Sequence, residues 1–175
     1  MSEINLPKRK KIRMENFDYS TASAYFITIC TADRRPILWN DFENCVHNVG
    51  ADIIRPNKLP LSSIGKLVDD AIKQISEHYD NVTVDKYCIM SDHIHLLIFI
   101  LSDGDGRQIA APTIPRVIGQ MKRWVSKTAG FSVWQKSFID RVIRNEKGYR
   151  AAWNYIENNP YKIDFGDDDI DFSQF

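Results

Sequence analysis

Two strand-like runs, residues 82–90 and 93–101, are separated by Ser91 and Asp92 alone. A link that short leaves room only for an antiparallel hairpin. The second run is apolar on both faces from Leu96 to Leu101, which predicts that the hairpin sits near the centre of a sheet covered on both sides. Ala24 to Thr31, rich in aromatic and β-branched residues, is a further strand. Leu67, Val68, Ala71, Ile72 and Ile75 recur at helical spacing, with Ser62 or Ser63 as N-cap and an end near Tyr79. Val117, Met121, Trp124 and Val125 mark a second helix ended by Gly130, and residues 138–143 suit another strand. A last helix runs from Glu146 to Asn158, stopped by Pro160 because the residue before a proline avoids the α region. Residues 40–62 read as loop with room for one short helix, and 102–115 as loop. Strand, helix, hairpin, helix, strand, helix is the order of an α+β domain, a ferredoxin-like antiparallel sheet with helices packed on it.

At 175 residues and 43% hydrophobic, the chain suits one folded domain, over residues 23–163. A basic arm, residues 1–22, precedes it and an acidic tail, residues 164–175, follows. Cys30, Cys45 and Cys88 are odd in number and show no C-x-x-C spacing, which points to a reducing compartment rather than a disulfide framework. No apolar secretory stretch opens the sequence, and the longest apolar run is too short to span a bilayer. A cytoplasmic protein without membrane partners is expected. Formal net charge is zero, but the charge is segregated. Residues 116–150 hold nine Lys/Arg against Asp140 and Glu146, nine minus two or +7, and Lys8 to Arg13 form a second basic cluster. Such segregation gives one surface a positive potential although the sum vanishes; solvated helix faces are the alternative reading.

On a strand, residues i and i+2 share a face, so His93 and His95 converge while Ile94 faces away. Two convergent imidazoles are half of a metal site, and Asp92 could orient one ring from behind. Two polar residues where a hairpin leaves the core would look the same. On the last helix, Tyr149, Ala152, Trp153 and Ile156 fall at i, i+3, i+4 and i+7 and are read as its buried face. Tyr155 and Asn159 lie one turn apart on the border of that face, where a tyrosine also serves as an edge filler. Trp134-Gln135 in the +7 stretch suits stacking on unpaired bases, although a tryptophan beside a helix end equally suits the core.

These segments together resemble the REP-associated tyrosine transposases, single-tyrosine members of the HUH endonuclease superfamily. The likeness runs over most of the chain. It takes in Asn16-Phe17-Asp18-Tyr19, Tyr25 to Thr31, Arg34-Arg35-Pro36, Tyr87 to His95 with its His-hydrophobic-His triplet, Trp134-Gln135, Asp140 to Glu146, and Tyr155-Ile156-Glu157-Asn158-Asn159-Pro160. Ser91-Asp92 replaces the Pro-Asn or Pro-Glu common before the first histidine, and Ile139 stands where an aromatic is frequent. The resemblance implies that Tyr155 is the nucleophile and that His93, His95 and Asn159 hold a divalent metal, Mg²⁺ or Mn²⁺. It implies a substrate of single-stranded DNA at hairpin-forming palindromic repeats, cut through a 5′-phosphotyrosine, in a bacterial cytoplasm. Lys10, Arg13, Arg34, Arg35, Lys122, Arg123, Lys127, Trp134, Arg141 and Arg144 would contact the DNA. A homodimer exchanging tyrosine helices and a monomer both fit. Two rival classes are a non-catalytic RNA- or DNA-binding module on the same sheet and a metal hydrolase or oxygenase built on H-x-H.

Overall fold

Alternation along β1, Ser23–Cys30, sends Tyr25, Ile27 and Ile29 to one face and Ala24 and Phe26 to the other, and all five are buried. A strand apolar on both sides belongs inside a sheet with two covered faces. The computed structural model describes residues 23–40, 61–101 and 113–159. In it, β1 is flanked on one side by β3, His93–Ile100, and on the other by β4, Ile139–Ile143. β2, Val82–Ile89, pairs with β3 at the edge, so the order is β2-β3-β1-β4 with every pair antiparallel. The hairpin thus places β3 inside and β2 outside, rather than both at the centre. This is the ferredoxin-like sheet that the element order implies.

Two helices cover one face: α1, Ser63–His78, and α2, Ile114–Ala129. Their buried residues Val68, Ile72, Ile75, Val117, Ile118, Met121 and Val125 share a core with Tyr25, Ile27, Ile29, Ile94, Leu96 and Ile98. Ser62 caps α1 by accepting from the Gly65 amide at 3.0 Å while donating to the Ile37 carbonyl at 2.6 Å. Gly65 is required by contact, since a Cβ there would stand 2.0 Å from the Leu38 oxygen. α2 ends at Gly130 in the left-handed conformation, φ 78°. Its start, with Pro115 in the first turn, lies inside the segment read from sequence as loop.

The opposite face carries α3, Glu146–Asn158, capped by Asn145 accepting from the Gly148 amide at 2.8 Å. Ala152 and Ile156 pack with Ala24, Phe26, Cys88 and Leu97. The buried stripe of α3 is Gly148, Ala152 and Ile156, not Tyr149, Ala152, Trp153 and Ile156: Trp153 is 37% exposed. Ala152 and Ile156 meet the sheet, and Trp153 lies against the Lys86 ammonium instead. Trp124, one of the residues that mark α2 in the sequence, is likewise exposed. The basic arm, the acidic tail, and residues 41–60 and 102–112 of the segments read from sequence as loop lie outside the described residues. Among the described residues no helix is long and apolar enough to cross a membrane.

Candidate active site

β3 points His93 and His95 to the α3 face, and their Nε2 atoms meet at 3.1 Å. Each ring is held from behind. His93 Nδ1 lies 2.6 Å from Asp92 Oδ1, and His95 Nδ1 lies 2.9 Å from Thr28 Oγ1, its cross-strand neighbour on β1. A carboxylate only accepts, so His93 carries a proton on Nδ1 and, when neutral, turns the Nε2 lone pair towards His95. Burial pushes the His95 imidazole well below its ordinary range; a proton on His93 and the Arg34 charge act the same way, and the Asp92 carboxylate acts against them. A neutral ring is the form that binds a metal. Partial burial would raise the Asp92 carboxyl, but the hydrogen bond and charge of His93, joined by Arg34, hold it below the usual value.

Two ligands about 2.1 Å from an octahedral ion stand about 3 Å apart, so this nitrogen pair fits one divalent cation. Among the described residues no three His, Cys, Asp or Glu side chains cluster to hold a metal. The third ligand that the resemblance implies, the Asn159 amide, stands at the C-cap of α3.

Tyr155 stands against the pair. Its ring lies 5.1 Å from that of His95 at 81°, edge-on, and 5.8 Å from Phe26, which itself stacks on His95 at 5.2 Å. One turn on, Asn159 is buried, 6% exposed, as the C-cap of α3. Two other tyrosines near the sheet are engaged elsewhere. Tyr149 donates to Asp85 at 2.7 Å, and that bond raises its pKa. Tyr87 donates to Asp69 at 2.6 Å on the far side, and burial together with that bond pushes its phenol strongly up. Tyrosine, imidazole pair and buried amide thus share one side of the sheet.

No protein-family model matches the sequence. An uncharacterized protein of Haemophilus influenzae is 27% identical over 171 residues, spanning 87% of this chain and 88% of its own. A second protein of that organism, provisionally named a REP-associated tyrosine transposase, is 27% identical over 159 residues, 85% of this chain and 77% of that one. A solved structure of a REP-associated tyrosine transposase bound to a REP hairpin shares the fold, with TM-score 0.54 at 19% identity over 86% of this chain and 73% of that one. The chain is thus similar in sequence to a protein of that name and similar in fold to a solved one. Transposases of that name are enzymes.

The residues expected to contact DNA fall into separate groups in this fold. Arg34 and Arg35 follow β1 at the end of the sheet where His93 emerges, and Arg34 pairs with Asp92 at 3.3 Å. Arg141 lies opposite Phe26 on β4, so it shares the histidine face, and Arg144 is exposed just beyond that strand. Arg123 and Lys127 are exposed on α2, which covers the other face. Lys122 donates to the carbonyls of Gln135, Lys136 and Ser137 at 2.7, 3.3 and 3.2 Å, a clamp on the loop after α2. Trp134 is a correction: it is 5% exposed and belongs to the core under α1 and α2, so its ring presents no face for a base. The bridge Thr31↔Trp134 draws it inward beside β1. Lys10 and Arg13 lie outside the described residues. Thr28 and Phe26 went unread in the sequence. Pairing β1 to β3 in register would have found both, and that register is set only in the sheet.

Proposed function

We propose that the chain is a transposase-like enzyme that cuts and rejoins single-stranded DNA beside hairpin-forming repeats, with Tyr155 as nucleophile. The observation that carries this reading is the meeting of the His93 and His95 Nε2 atoms, 3.1 Å apart, with the Tyr155 ring set edge-on against His95. The hairpin-bound structure of similar fold supports the substrate class. The phenolic oxygen of Tyr155 attacks phosphorus in line and its proton passes to water. The bond from phosphorus to the 3′ oxygen breaks, and that oxygen takes up a proton. The products are a 5′-phosphotyrosine and a free 3′-hydroxyl. Phosphodiester is exchanged for phosphodiester, so a second 3′-hydroxyl can reverse the step and join a new strand.

His93, His95 and the Asn159 amide oxygen would hold Mg²⁺ or Mn²⁺, which when bound offsets charge developing on the phosphate. Asp92 and Thr28 fix the two imidazoles with their Nε2 atoms towards the site. Phe26 closes the floor beneath His95, and Ala152 and Ile156 seat the helix that carries the tyrosine. Such a substrate would place the protein in a bacterial cytoplasm.

The test is incubation of wild type and Tyr155→Phe with 5′- and 3′-labelled hairpins that bear single-stranded flanks, in Mn²⁺. Wild type should form a covalent adduct mapping to Tyr155 by peptide mass. The phenylalanine variant should bind equally and form none. Hairpin binding with no adduct from wild type would leave a binding module without chemistry.

A further inference from the structure

Beyond β1 the chain makes a turn in which two successive non-glycine residues, Asp33 and Arg34, have φ of 55° and 54°. That region is strained for side chains with a Cβ, and such strain persists where the surroundings over-determine it. The surroundings here are plain. The Thr31 amide donates to the Asp92 carbonyl at 2.8 Å, and the buried Thr31 hydroxyl bridges the carbonyls of Arg35 and Asp92 at 2.8 and 2.9 Å. The turn sends its two arginines apart. Arg34 goes to Asp92, the carboxylate behind His93. Arg35 donates to the Ser132 carbonyl at 3.2 Å and lays its guanidinium 5.8 Å over the ring of Phe131.

Phe131 is 41% exposed, yet its loop is fastened on every side. Ala32 donates to the Val133 carbonyl at 2.8 Å and Gln135 to the Cys30 carbonyl at 2.9 Å, while Lys122 clamps the carbonyls of residues 135–137. Val133, Trp134 and Phe138 are buried by the same loop. A loop that buries these three apolar side chains and holds a fourth, aromatic one in water beside a cation has the composition of a base-stacking site.

We infer that Phe131, with Arg35 over its ring, stacks one unpaired nucleotide of the substrate strand next to the histidine pair, Arg35 also meeting the adjoining phosphate. This rests on the reading of single-stranded DNA as substrate. The strained turn links the two sites, since its neighbouring arginines serve the base platform and the carboxylate that orients His93.

The experiment uses the full chain and labelled DNA hairpins with six-nucleotide single-stranded flanks, an abasic spacer being moved one position at a time. Anisotropy gives affinity, and the Tyr155 adduct is scored on the same oligonucleotides. Wild type should lose about 5- to 150-fold in affinity at one flank position, the span expected for one stacked base. Phe131→Ala should bind the intact strand that much more weakly and be indifferent to the spacer at that position, while Phe131→Trp retains the wild-type profile. Wild-type cleavage together with a Phe131→Ala profile indistinguishable from wild type would overturn the stacking site and leave the proposed chemistry standing. If wild type neither bound nor cleaved any hairpin, both would fall.

Discussion

His93 and Asp92 form the unit on which the site's electrostatics turn. Because the carboxylate accepts from Nδ1, the lone pair that remains on His93 faces His95, and burial keeps His95 neutral to face it in turn. His93→Ala or His95→Ala should each weaken Mn²⁺ binding by at least 10-fold and abolish adduct formation, while hairpin affinity stays within about 2-fold. Asp92→Asn, which can no longer fix the tautomer, should lose about 10- to 100-fold in metal affinity, as outer partners of ligating histidines commonly do. Calorimetry with unchanged Mn²⁺ affinity in all three variants would remove the metal from the site. Cys88, in register with His95 on the neighbouring strand, offers a second check. Burial pushes its thiol up to about 12, so it should resist iodoacetamide at pH 8 until the chain unfolds. A thiol protonated when folded and ionising near 9 when unfolded lends stability that is complete below about pH 9 and lost as pH rises towards 12. Rapid labelling of native Cys88 at pH 8 would show that the strand face is open.

At the scale of elements, the tyrosine helix depends on an irregularity in β2. The pairing shifts between Val84, opposite Ile98, and Lys86, opposite Leu97, so Asp85 is the extra residue of a bulge. The bulge reverses the phase of the strand. Val84 packs with the α1 and α2 side, whereas Lys86 and Cys88 beyond it turn towards α3. Asp85 then accepts from Tyr149, and Lys86 pairs with Glu157 while its ammonium lies 3.4 Å from the centre of the Trp153 ring. Since α3 buries mainly small residues, these contacts weigh heavily in holding it. The double substitution Asp85→Ala with Lys86→Met should cost about 1–2 kcal/mol, a fall of a few degrees in Tm. Amide exchange should quicken in α3 while α1 and α2 are unaffected. Uniform quickening in all three helices would mean that the clamp has no local role.

Across the whole molecule, charge and assembly follow from which face each element covers. Arg141 shares the histidine face, whereas Arg123 and Lys127 stand on the opposite layer. Arg141→Gln should lower the salt slope of hairpin binding by about one unit, as loss of one phosphate contact does, and Arg123→Gln with Lys127→Gln should change it less. Equal effects would mean that DNA wraps both layers. Tyr155 meets His95 of its own chain, because the clamp on β2 holds α3 to the same sheet. A mixture of Tyr155→Phe and His95→Ala chains should therefore form no adduct. Recovery of activity in the mixture would establish exchange of tyrosine helices between two copies.

What the sequence determined by itself was local. The two-residue link made a hairpin, period two set His93 and His95 on one face away from Ile94, and the coming proline bounded the end of the last helix. These follow from backbone geometry within a few residues, which no distant contact alters. The tertiary structure alone decided which aromatic is buried and which rings meet. Trp134 and Phe131 are three residues apart in similar surroundings, yet a single bridge to Thr31 takes the first into the core and a strained turn leaves the second in water beside Arg35. The phase of β2 was equally hidden, because an extra residue in a strand shows only against the partner it fails to match. Tyr155 touches His95 for the same kind of reason: the helix face that meets a sheet is set by contacts between distant elements, here Ala152 and Ile156 against Ala24, Phe26 and Leu97.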